Sequence, residues 1–129
     1  MPRAQRAQSF LFEPARLLND PAFLGMSEEA RGCYAALLFK GWDLPEVGVY
    51  PADDRVLATL ALTTPETWLR VREEISRAFD TESRPGSWVQ NSLQRTYDAQ
   101  TRVVKRRKAA AKQAAKVRWD KENDATRTA

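Results

Sequence analysis

Apolar residues recur at intervals of three and four through most of this chain, and the interruptions fall at proline, glycine and helix-capping residues. Phe10, Leu11 and Phe12 precede Pro14, which suits the first turn of a short helix ending at Asn19; Asp20-Pro21 then restarts the chain. Ser27 followed by Glu28 and Glu29 reads as a helix start, and Ala30, Cys33, Tyr34, Leu37, Leu38 and Trp42 repeat as a buried face would. This helix is expected to run to about Lys40, where Gly41, Pro45 and Gly48 break it, and Val47, Val49 and Tyr50 leave room for a very short strand.

Asp53 or Asp54 caps the next helix, whose apolar side is Val56, Leu57, Leu60 and Ala61. It stops at Leu62-Thr63. Thr64 as cap and Pro65 at the first helical position begin another helix that continues to about Phe79. Two helices joined by so short a turn predict a helix-turn-helix. The polar turn DTESRPGS then leads into Trp88-Val89-Gln90-Asn91, a strand expected to pair with residues near Phe79 and so to form a wing. Ser92 caps a long last helix in which Leu93, Tyr97 and Val104 still offer an apolar stripe. From Ser92 to Arg118 it would be about 40 Å long at 1.5 Å per residue. The fold expected is mainly α: a winged helix over residues 1–91, a C-terminal helix over 92–119 that is basic from 102, and a flexible tail over 120–129.

Charge changes the picture most. Residues 1–91 hold 10 basic and 13 acidic side chains, residues 92–129 hold 11 and 4, so a mildly acidic module is followed by a basic arm. Eight Lys or Arg lie between Arg102 and Arg118 without one acid. At 100° per residue Lys105, Lys108, Lys112 and Lys116 fall close to one stripe, separated by alanines that favour helix without needing a core. A run of like charge is often only a solvated tail, but a solvated helix ordinarily mixes both signs. The pattern points to a polyanion, and nucleic acid is the expected partner. The candidate contacts are Arg102, Lys105, Arg106, Arg107, Lys108, Lys112, Lys116 and Arg118 in the arm, with Arg84 in the wing.

Arg70 and Arg77 complete the candidate set with less to recommend them. They share the outer face of the helix that starts at Thr64-Pro65 with Glu66 and Glu73, four residues away in each case, so salt bridges within the helix are the plainer expectation. A face whose positive charge is half cancelled is poorly suited to reading base edges. Trp42, Trp68 and Trp88 are expected in the core, as is Cys33. Trp119 follows the basic run with nothing apolar nearby, and so either folds back, meets a partner or stacks on a base.

Histidine is absent and cysteine occurs once, which removes the commonest general base, most transition-metal sites and any internal disulfide. Glu28 with Glu29, and Asp53 with Asp54, are the carboxylate pairs that could suggest a metal-dependent nuclease, and each sits at a predicted helix start, where acids stabilise the dipole and cap free amides. No enzyme activity and no cofactor are expected. The N-terminal MPRAQRAQ lacks the apolar stretch of a signal peptide, and the longest apolar run, Ala35 to Phe39, is far short of the roughly 18 residues of a membrane span. A cytoplasmic protein without a membrane partner is the expectation.

Residues 23–62 also match a family pattern. Met26, Ser27, Glu28, Glu29, Gly32, Tyr34, Leu37 and Leu38, then a Leu-Pro and an Asp-Asp start to a Leu-Ala helix, resemble the YdaU-like prophage replication proteins. Cys33 stands where alanine is usual. The lysine- and alanine-rich helix ending in Arg118-Trp119 matches that family's close, and the resemblance extends over roughly residues 10–119. It implies a winged-helix-like domain in phage DNA replication, acting in origin binding or in recruitment of replication proteins such as a helicase. A transcriptional repressor and a protein-interaction module are the alternatives, and a homodimer is one option for the oligomeric state.

Overall fold

The computed structural model of the chain describes residues 9–128. It is mainly helical with one two-stranded antiparallel sheet, in the order α1 (Pro14–Leu18), α2 (Pro21–Leu24), α3 (Glu28–Trp42), β1 (Val49–Pro51), α4 (Asp54–Leu60), α5 (Pro65–Ser76), β2 (Ser87–Val89) and α6 (Asn91–Thr128). The chain divides into two units after Tyr97 rather than at residue 91, because Leu93 is buried and Tyr97 packs against the core of the first unit.

Capping residues set the helix starts. Ser27 Oγ accepts from Ala30 N, Asp53 Oδ1 accepts from Arg55 N and Val56 N, and Thr64 Oγ1 accepts from Thr67 N, each satisfying a donor that the first turn leaves open. Between α4 and α5 the chain turns through Leu62, which adopts the left-handed conformation at φ 58°. Leu62 N donates to Thr59 O and Thr63 N to Ala58 O, the paired bonds of a Schellman ending.

Three boundaries depart from expectation, each for a physical reason. Gly41 does not break α3, which runs on to Trp42, because the missing side chain is needed by neighbours: a Cβ there would overlap the Tyr50 hydroxyl and lie 2.6 Å from Leu93 Cδ1. α5 ends at Ser76 instead of Phe79. Ala78 N and Phe79 N bond to carbonyls three residues back, so the last turn tightens and carries Phe79 inward against Tyr34, Tyr50 and Trp88. At the start of α6 the cap is Gln90, not Ser92. Gln90 is the one buried polar residue among the described residues, 3% exposed; its Oε1 accepts from Ser92 N while its Nε2 donates to Tyr34 Oη and Ala78 O.

The sheet is also a correction. β2 pairs along its length with β1, Tyr50 opposite Trp88, and the expected pairing near Phe79 survives only as a single bridge between Asp80 and Val89. The Asp80 carboxylate accepts from Glu82 N and Ser83 N, which turns the chain away after that one bridge. Trp68, Tyr50, Leu37, Leu57, Ile75 and Val71 form the centre of the core, and Trp42, Trp88 and Cys33 are buried with them, as their spacing predicts.

The second unit is helix alone. α6 does not stop at Trp119 but continues to Thr128, since residues 119–128 contain neither glycine nor proline to end it. Residues 98–128 make about 46 Å of helix at 1.5 Å per residue. Val104, expected to extend the apolar stripe of Leu93 and Tyr97, is 46% exposed. Every residue from Arg102 to Glu122 is exposed.

Candidate nucleic-acid interface

A helix with no core of its own shows its chemistry directly in its wheel. Lys105, Lys108, Lys112 and Lys116 fall within about 80° of arc, and Arg102 and Arg106 extend that face on one side. Arg107 and Arg118 point to the opposite side, between Ala111 and Ala114. Six of the eight expected contacts thus share one face. Among the described residues none of the eight is ion-paired. Lys108, Lys112 and Lys116 stand four apart, a spacing at which like charges repel, and the intervening alanines offset that repulsion through their helix propensity. The segment therefore holds unneutralised charge in order, on a frame that needs no packing.

The cations of the first unit are in a different condition. Arg84, the expected wing contact, is held by Glu46 through two bonds of 2.8 and 2.9 Å. That pairing lowers the Glu46 carboxyl below its ordinary range and raises the guanidinium. Arg70 does not pair with Glu66 as its spacing predicts; it reaches across to Glu29 on α3 at 2.8 Å, with Thr67 Oγ1 at 3.3 Å. Arg77 pairs with Glu73 at 3.5 Å, the expected partner. All three have a carboxylate to lose before they could meet a phosphate.

The carboxylate pairs are used in the same structural way. Asp53 caps α4, and Asp54 accepts from Trp68 Nε1 at 2.9 Å and pairs with Arg72, whose guanidinium also lies over the Trp88 ring. No group of three or more His, Cys, Asp or Glu able to hold a metal occurs among the described residues. Leu62 and Leu69, 72% and 62% exposed on the α4–α5 turn and the outer side of α5, are exposed apolar positions the sequence does not single out. The available signal for Leu69 is its place off the apolar face of Trp68, Val71 and Ile75, and for Leu62 its position in the turn between α4 and α5.

No helix is long and apolar enough to cross a membrane among the described residues. No family model, no curated protein and no solved structure matches the chain.

Proposed function

We propose that this chain is a non-catalytic DNA-binding protein of the phage or prophage replication type, in which the basic face of α6 holds DNA phosphates. One observation carries the reading: six cations share one face of the exposed 102–122 stretch of α6, none of them ion-paired among the described residues, while Arg70, Arg77 and Arg84 are all paired. A helix of this kind binds by displacing counterions from the phosphate backbone, a sequence-independent mode. The first unit is read as a winged helix, on the strength of the α4–α5 turn and the return of β2 after it. The replication role, with origin binding or helicase recruitment as its form, rests on the resemblance of residues 10–119 to the YdaU-like proteins. A repressor reading loses ground because α5 offers base edges few unengaged donors. Exposed Leu62 and Leu69 beside Glu66 and Glu73 favour a second role for the first unit, as a contact for a protein partner.

Salt dependence tests the central claim. With about four to six phosphate contacts, log affinity against log salt on duplex DNA should fall with a slope near −4 to −5. Replacing Lys105, Lys108, Lys112 and Lys116 with Gln keeps helix propensity and should flatten the slope by roughly 3 to 4 units. An unchanged slope makes the arm a bystander, and no binding at about 50 mM salt rejects the DNA reading.

A further inference from the structure

Trp119 is unlike the other three tryptophans. Trp42, Trp68 and Trp88 are buried, whereas Trp119 is 64% exposed, and among the described residues it has no ring or cation against it. On the helical wheel it falls between Lys108 and Lys112, and it follows Lys116 by three residues and Lys105 by two heptads. The large aromatic therefore closes the lysine stripe on the stripe's own face, about 21 Å from Lys105 at 1.5 Å per residue. Beyond it the charge reverses, with Asp120, Glu122 and Asp124 outnumbering Lys121 over the next five residues.

We propose that Trp119 stacks on an unpaired base, so that the arm takes single-stranded DNA, or the single-stranded side of a junction, in preference to continuous duplex. The inference rests on the DNA reading of the arm and specifies the form of DNA. A stripe of lysines tracks a phosphate chain of either form, because it sees only charge. An exposed indole adds nothing on a duplex, where every base face is already covered, but on a single strand each base has a free face to offer. The acids after Trp119 repel phosphates and so end the track there, which aligns the last held nucleotide with the indole. Three buried tryptophans and one exposed make the event directly visible.

The test uses the full chain and two probes, a single strand of twelve thymidines and a blunt duplex, with intrinsic fluorescence as one readout and affinity as the other. The single strand should quench the exposed tryptophan and the duplex should leave it nearly unchanged. Trp119→Ala should weaken single-strand binding by about five- to a hundredfold and duplex binding by less than about twofold, with Trp119→Phe retaining most of the single-strand affinity. Far-ultraviolet helicity should be the same in all three proteins. Binding of both DNAs with no selective loss in Trp119→Ala, or with no quenching by the single strand, overturns this inference and leaves phosphate binding by the arm intact. Failure to bind either probe at about 50 mM salt overturns both.

Discussion

Two glycines in α3 should respond in opposite directions to the same substitution. Gly32 is exposed, and a Cβ built on it meets nothing within 4 Å. Gly32→Ala therefore keeps only the helix-propensity gain, about 0.5–1 kcal/mol, or roughly 3–5 °C in a domain of this size. Gly41 carries the same intrinsic gain, but its Cβ would be driven into the Tyr50 hydroxyl and Leu93 Cδ1, with Tyr50 Cζ at 2.8 Å. Tyr50 cannot swing aside. It is fully buried, edge-on to Phe79, and its hydroxyl donates to Leu37 O. Overpacking against a fixed ring costs about 1–3 kcal/mol, and loss of the buried hydrogen bond about 1 kcal/mol more. The net for Gly41→Ala is a loss of about 2–3 kcal/mol, which lowers the melting temperature by roughly 10–20 °C. Thermal unfolding followed by tryptophan fluorescence isolates the core, since three of the four indoles lie in it. A Gly41→Ala protein melting at or above the parent would refute the close approach of α3, β1 and the first turn of α6.

Truncation after Val104 should leave the fluorescence-detected transition within a few degrees of the intact chain, because the last core contacts are Leu93 and Tyr97; a fall of more than about 10 °C would show that the arm contributes to the core. Alkaline stability offers another check. Burial, with the charge of Asp20 adding to it, pushes the Tyr34 phenol up to about 12, and burial raises Tyr50 as well. The folded state thus holds both phenols neutral where an unfolded tyrosine ionises near pH 10, so this contribution is complete below about pH 10 and is lost as pH rises towards 12. Melting temperatures should fall across that window alongside tyrosinate absorbance, and a flat profile from pH 9 to 12 would contradict the burial.

What was legible in the chain was local. Thr64-Pro65 marks the start of α5 and Ser27-Glu28-Glu29 that of α3 because a cap acts within four residues. The burial of Trp42, Trp68 and Trp88 follows from helical and strand spacing. Long-range partners were not legible. Gly41 reads as a breaker unless Tyr50 is known to need its space, and β2 seeks Val49–Pro51 nearly forty residues earlier rather than the adjacent Phe79. The candidate site divides along the same line. The arm's charges were visible as a run, and among the described residues none of them is ion-paired, whereas the engagement of Arg84 by Glu46 and of Arg70 by Glu29 depends on tertiary neighbours 38 and 41 residues away.

An exposed helix that carries its own repulsion behaves as an electrostatic spring. Residues 102–122 are exposed among the described residues, so their helicity reflects chiefly propensity and the strain of Lys108, Lys112 and Lys116 crowding one edge. Counterions relax that strain, and a polyanion laid along the edge relaxes it further. Stiffness of the arm is then a property of its ionic surroundings: loosened in dilute salt, and straightened wherever opposite charge gathers along that edge.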